Sequence, residues 1–297
     1  MLKQTLSKNR IVTKFRYGLH SFCGRHKVRA NSSTVDTKRV IIGLGAQKSG
    51  TTWLSKVLAD HPDIYMRKKE VHYWDTIRPP YIAWDSVDRI LANKAYVPGA
   101  PFGANPLDHG RYLPSLELGR SRESIVCEIT PAYALCSERT FLEMKGVHPD
   151  VRFVFLMRDP VSRLWSGIRH RMRAILDQPG SQVWVEKMFH EACENPYDPD
   201  FRRSRYDETL RALDKAGCRV SVLFYETLFN EKALESLCES LDVKGLCGNF
   251  DKRVNPGAGN LLRLNKSTRS HGRQALSDTY NYVAARFGHR VPEQWDS

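Results

Sequence analysis

Residues 44–54, LGAQKSGTTWL, set one lysine and three hydroxyl side chains around two glycines. Gly45 and Gly50 have the spacing of the G-x-x-x-x-G-K-[ST] loop that wraps nucleoside triphosphates, yet Thr51 stands in the lysine slot and Lys48 precedes the second glycine. No apolar strand ending in an acidic residue completes a magnesium site. The anion-binding half of the device persists. Gly50 lets the backbone approach closely, and the N–H groups of Gly50, Thr51 and Thr52 point outward at a helix N-terminus. Such a loop, Ser49 included, is expected to hold one phosphate and no metal, with Lys48 over a group attached to that phosphate. Trp53 and Tyr133 are candidates to stack on a base or an acceptor, although single aromatics more often fill a core. A glycine turn beside a solvated lysine is the plainer reading of this stretch taken alone.

A second cluster is MRDPVSRLWSGIRH, residues 157–170. Arg158 ends an apolar run, the place where ligands collect in open α/β sheets. Ser166 stands about two turns into the following helix, with Arg163, Arg169 and His170 close to its face at three- or four-residue spacing. The ordinary roles here are a serine bonded to the carbonyl one turn back and an Arg–Asp pair that ties a loop. A phosphate gripped by Arg158 and Ser166 accounts better for a buried strand that ends in arginine. Two separate single-phosphate sites suit a nucleotide phosphorylated at both ends of its ribose. In KKEVHYWD, residues 68–75, Glu70 and His72 share a side if the stretch is extended. His72 has the side chain whose unperturbed pKa suits proton transfer near pH 7. Glu70 beside Lys68 and Lys69 can equally be a solvated acid.

The elements that must carry these groups follow from apolar patterning. RVIIGLG (39–45), SIVCEIT (124–130), VRFVFLM (151–157) and CRVSVLFY (218–225) read as buried strands. A helix starts at Thr51, with Leu54, Val57 and Leu58 at helical spacing, and DHPD (60–63) stops it. Another opens with Asp159 as N-cap and Pro160 at its first position. Leu234, Leu237, Cys238 and Leu241 mark an amphipathic third. Strands alternating with helices imply an α/β domain with a central parallel sheet and helices on both faces. Residues 76–123, rich in Pro, Gly and aromatics, read as an ordered substrate-facing insertion.

On these residues the chain resembles the sulfotransferases that use 3′-phosphoadenosine 5′-phosphosulfate (PAPS). QKSGTTWL is similar to their 5′-phosphosulfate loop and FLMRDPVSRLWS to their 3′-phosphate motif. KKEVHYWD and CEITPAYA (127–134) are similar to segments of the heparan-sulfate-type and related bacterial branch, and weaker likeness runs from about residue 40 to the C-terminus. The resemblance implies a P-loop-NTPase-like sulfotransferase fold and PAPS as donor co-substrate. It also implies Lys48 at the bond that breaks, Glu70 as the base, and a glycan, lipid or small-molecule acceptor. Where several glycan-modifying relatives carry lysine between the Glu and Thr of E-K-T-P, this chain has Ile129, which tilts the expectation toward a neutral glycan, small alcohol, amine or amino-lipid. RVNPGAG (253–259) and NKSTRSH (265–271) are candidates to close over the nucleotide.

Totals set the outer limits. At 297 residues the chain is long enough for a large core, and no run approaches the ~18 apolar residues of a membrane span. Seven cysteines without a C-x-x-C pair argue against a zinc site or a disulfide framework and fit a reducing compartment. Residues 1–35 hold eight Lys or Arg and no acid, so the formal net charge of +13 falls to +5 for the rest. That segment, with a boundary near residue 37, reads as a basic leader, disordered or a transit peptide, before a single domain at 38–297. A cytoplasmic enzyme is expected, or one imported into an organelle through the leader. A balance of +5 suits small polyanions better than nucleic acid. The competing readings are a P-loop kinase or NTPase with an atypical lysine, which requires magnesium, and a basic binding module, which depends on the first 35 residues.

Overall fold

The structure, a computed structural model, describes residues 36–78, 109–250 and 262–296. The basic leader, the RVNPGAG segment and most of the aromatic insertion lie outside the described residues. Five strands form one sheet: β1 (Arg39–Gly45), β2 (Ile64–Tyr65), β3 (Ile125–Ile129), β4 (Val151–Met157) and β5 (Val220–Phe224). Their order is β2-β3-β1-β4-β5, and every pairing is parallel. Alternation explains why these stretches are strands. Val40, Ile42 and Leu44 of β1 share one face with Phe153, Phe155 and Met157 of β4, while Ile41, Val154 and Leu156 face the other way. Strands apolar on both faces are stable only with cover on both sides, which is the condition of an internal parallel sheet.

Parallel strands require crossovers, and helices supply both the crossovers and the cover. They are α1 (Thr51–Ala59), α2 (Glu138–Lys145), α3 (Pro160–Arg171), α4 (Ser181–Glu194), α5 (Tyr206–Lys215), α6 (Glu231–Leu241), α7 (Lys266–Ala275) and α8 (Ser277–Phe287). Phe141 and Met144 of α2, Leu210 and Leu213 of α5 and Val283 of α8 pack on the first face. Leu54, Val57 and Leu58 of α1 and Leu234, Leu237 and Leu241 of α6 pack on the second. Each such side chain contributes ~1.5–3 kcal/mol when fully buried. The second face also depends on Gly43, because a Cβ there would lie 2.7 Å from two Ile129 side-chain carbons. Among the described residues no helix is long and apolar enough to cross a membrane.

The strands expected at 39–45 and 151–157 have those bounds, and the other two are a residue or two shorter at each end. β2 was not anticipated, since two residues carry no periodicity. Asp159 caps α3, its carboxylate accepting from the Ser162 N–H at 2.8 Å, with Pro160 next as expected. In the described end of the insertion, Tyr112 faces the core and not a substrate.

Tyr112 belongs to a knot around Glu128. This β3 carboxylate is fully buried. Oε1 accepts from the hydroxyls of Tyr112 at 2.5 Å and Tyr133 at 3.0 Å. Oε2 accepts from the Thr130 hydroxyl at 2.6 Å and the Val71 N–H at 3.1 Å. Burial raises the carboxyl above its usual range, and the four donors oppose that rise. The Tyr133 hydroxyl in turn accepts from the Tyr73 N–H at 3.0 Å, and the Ile129 N–H donates to the Lys69 carbonyl at 2.7 Å. Residues 69–73 are thereby tied to the C-terminal end of β3. Glu128→Ala strands the hydroxyls of Tyr112, Tyr133 and Thr130, while the Val71 N–H keeps Thr130 Oγ1; at ~1–3 kcal/mol for each donor left unsatisfied, a loss of ~3 kcal/mol or more is expected. The urea midpoint measures it, and a change under ~1 kcal/mol would show that the knot is not holding the segment.

Candidate active site

The loop leaving β1 turns on two left-handed residues, Lys48 at φ 72° and Gly50 at φ 91°. Glycine takes such a φ freely; lysine held there costs of order 1–3 kcal/mol, a strain that persists only where the surroundings enforce it. Here the Ala46 N–H donates to the Leu156 carbonyl of β4 at 2.7 Å, and the Ser49 N–H donates back to the Ala46 carbonyl at 3.2 Å. Gly50 caps α1 with no side-chain partner for the first-turn N–H groups, which leaves them to a ligand. Ser49 is fully buried, and its hydroxyl has no hydrogen-bond partner among the described residues. Thr51 and Thr52 open the helix.

Arg158 follows the last residue of β4, next to β1 in the sheet. β1 and β4 flank the point where the strand order reverses, the crevice where ligands bind in such sheets. Tyr206 fixes the Arg158 backbone from both sides, its hydroxyl donating to the carbonyl at 2.9 Å and accepting from the N–H at 3.4 Å. The guanidinium lies 4.8 Å over the Tyr225 ring and donates from Nη1 to the Lys48 carbonyl at 3.3 Å. The two motifs read separately in the sequence are therefore joined directly. Burial first, then the charges of Arg158, Arg169 and Arg163, push the Lys48 ammonium below its ordinary range. Asp200, the carboxylate that Lys48 feels, is committed to Arg163 and Arg171. Positive charge is thus crowded around Lys48, close to the start of α1.

The acid–base candidates form a chain. Lys69 Nζ lies 3.2 Å from Thr52 Oγ1 and 2.9 Å from Glu70 Oε1. His72 Nε2 lies 3.3 Å from Glu70 Oε2, and His72 Nδ1 lies 2.9 Å from Asp75 Oδ2. Glu70 and His72 do meet, but not as neighbours on a strand. His72 has φ 57°, and residues 66–73 form no strand: the Val71 N–H goes to the side chains of Glu128 and Thr130, and the Lys69 carbonyl accepts from the Ile129 N–H. The bond from His72, followed by that from Lys69, outweighs burial and holds the Glu70 carboxyl down at about 2. Asp75, then Glu70, hold His72 up at about 9. His72 is thus an imidazolium at neutral pH and has no lone pair with which to accept a proton.

Several expectations change. The Trp53 ring is 4% exposed, donates to the Asn249 carbonyl at 3.0 Å and packs against Phe229 and Phe250, so it is core and cannot stack on a nucleotide. Tyr133 is likewise core. Arg163 is fully buried and donates to the Asp200 carbonyl at 2.7 Å, so it braces α3 from inside. Ser166 is half-buried within α3. Ile129 is fully buried beneath α1, on the face opposite Glu128, so its identity is a matter of packing and says nothing of acceptor charge. NKSTRSH forms the start of α7, where Arg269 sits 3.4 Å from Asp159. Sequence reasoning missed Lys69, Asp75, Tyr206 and Glu128. Only Asp75 carried a signal, its three-residue spacing from His72 at the start of a helical turn.

Known proteins share the family pattern and the fold of this chain. The pattern described as "Sulfotransferase family" matches residues 40–244. A sulfotransferase crystal structure from Alicyclobacillus acidocaldarius superposes with a TM-score of 0.59 at 20% identity, covering 86% of this chain and 98% of that one. The sulfotransferase domain of the Synechococcus PCC 7002 olefin synthase gives 0.48 at 17% identity, over 87% of this chain and 97% of that domain.

The ion pairs have a readable pH signature. Glu70, lowered from 4.5 to about 2, contributes stability that is lost as pH falls through that interval. His72, raised from 6.5 to about 9, contributes stability that is whole below 6.5 and lost as pH rises through about 9. NMR titration of the His72 imidazole is expected to give a midpoint well above 6.5, moving down in Asp75→Asn. A midpoint near 6.5 in the unaltered chain would break the Glu70–His72–Asp75 assignment.

Proposed function

Because the chain belongs to the sulfotransferase family, we propose that it moves a sulfuryl group from PAPS to a hydroxyl or amine of a glycan, lipid or small molecule. The observation that carries the donor assignment is the pairing of Lys48 and Arg158 across β1 and β4, beside the orphaned Ser49 hydroxyl. In this reading the N–H groups of Gly50, Thr51 and Thr52 hold the 5′-phosphate end, and Arg158 with Ser166 holds the 3′-phosphate.

The acceptor oxygen or nitrogen bonds to sulfur as the bond from sulfur to the 5′-phosphate oxygen breaks. The phosphate leaves with the electron pair, and the acceptor proton passes to the Glu70 carboxylate. Lys48 meets the charge growing on the leaving oxygen, an interaction stronger in the transition state than before it. The sulfuryl group carries a single charge, and the lysine meets the leaving oxygen, so the reading assigns no metal. Between the two base candidates His72 is already protonated at neutral pH, which favours Glu70.

Adenosine 3′,5′-bisphosphate should raise the melting temperature clearly more than AMP, and ATP with Mg²⁺ no more than AMP. Stabilisation by ATP–Mg²⁺ above the bisphosphate would instead favour a kinase or NTPase. Arg158→Ala is expected to lose a charge-assisted contact of ~1.5–3 kcal/mol, about 10- to 150-fold in bisphosphate affinity by calorimetry. AMP should bind the variant almost as before; equal losses for both ligands would remove Arg158 from the 3′-phosphate. Glu70→Gln is expected to lower turnover by roughly 10²- to 10⁴-fold while bisphosphate affinity stays nearly constant. Unchanged turnover would transfer the base role elsewhere.

A further inference from the structure

The low proton affinity of Glu70 in the free chain sits badly with a base, and the geometry around it suggests what relieves the problem. We propose that Lys69 is a positioning residue that makes Glu70 available as a base only once the donor is bound. Its ammonium, shared between Thr52 Oγ1 and Glu70 Oε1, is drawn off the carboxylate by the anion that arrives at the first turn of α1. The inference rests on the PAPS reading above and adds an order of events to it: donor first, proton second.

The backbone around Lys69 cannot be what moves. Its carbonyl accepts from the Ile129 N–H at 2.7 Å, and two residues on the Val71 N–H is held by Glu128 and Thr130. Only the flexible side chain is free to choose between partners. Thr52 is the second residue of α1, where first-turn N–H groups and the helix dipole gather negative charge. An ammonium already touching the Thr52 hydroxyl is within reach of any phosphosulfate oxygen bound there. Glu70 offers it one charge at half-exposed distance from water, whereas a phosphosulfate offers more than one.

Among the described residues, the groups facing Glu70 are few. Lys69 and His72 contact it directly, Asp75 lies beyond His72, Thr52 comes from α1, and the buried Glu128 of β3 stands behind Val71. When Lys69 leaves, His72 is the one cation among the described residues still in contact with Glu70, and the carboxylate recovers affinity for a proton. His72 then feels more of the Glu70 charge, so its own titration moves upward.

That shift is the test, read by NMR on the His72 imidazole of the full chain with and without PAPS and with no acceptor present. In the unaltered chain PAPS is expected to raise the midpoint by roughly half a unit or more. Lys69→Met should start higher than the unaltered chain without PAPS and rise by clearly less when PAPS is added. Lys69→Arg, which keeps the charge, should restore the response. Equal rises in the unaltered chain and in Lys69→Met would mean that the charge of the donor acts directly, and would overturn the coupling while leaving the donor reading intact. If PAPS leaves the amide signals of Gly50, Thr51 and Thr52 unmoved, the donor reading itself fails and the coupling with it. A lysine that merely tethers two elements would lower stability when replaced, yet leave the PAPS-dependent increment unchanged.

Discussion

A carboxylate removed from water has to be surrounded by donors, and the whole acid–base arm of this site hangs on one such case. Glu128 gathers donors from β3's own exit, from the turn after it, from the segment that follows β2 and from the short helix carrying Tyr112. Buried charge of this kind is weak evidence of stability in itself, because desolvation offsets much of the attraction. What it secures is position. Residues 69–73 belong to no strand, and the backbone that carries Glu70 and His72 is held by the Val71 N–H on Glu128 and Thr130, the Tyr73 N–H on Tyr133 and the Ile129 N–H on the Lys69 carbonyl.

The site divides into two electrostatic halves with opposite problems. Around Lys48 and Arg158 like charges are crowded at the edge of the core, an arrangement that is unfavourable until an anion enters. Around Glu70 the charges are already matched: an acid between two cations, and one of those cations between two acids. The first half is poised to bind and the second is content as it stands. They touch at Thr52, where a helix residue of the binding loop meets the lysine that occupies the acid. A ligand that relieves strain in one half therefore has a direct route to unsettle the other.

Much of this was legible from residue types. The continuous apolar runs at 39–45 and 151–157 marked their strands to the residue, and Gly50, Lys48 and Arg158, read as two separate anion sites, lie in loops that the Arg158 bond to the Lys48 carbonyl joins. Trp53 misled because an aromatic beside a phosphate loop looks the same whether it faces a base or the core; only the packing of Phe229 and Phe250 decides. Glu70 and His72 were paired for the wrong reason, an assumed strand in place of a turn with a left-handed histidine. Lys69 looked like surface charge because its partners, 17 residues away and one residue away, are brought together only by the crossover from α1 to β2. Glu128 was hidden among apolar strand residues, and its four donors are scattered from position 71 to position 133.

The bond between the Lys48 carbonyl and Arg158 also turns the sheet into a gauge. Its two residues follow the ends of adjacent strands, whose separation of ~4.8 Å is set by backbone hydrogen bonding. Any molecule that engages both loops meets a backbone spacing set by the sheet. Discrimination among small anions of equal charge would then come from the skeleton of the fold, and loop changes that alter what is modified need never disturb what is recognised as fuel.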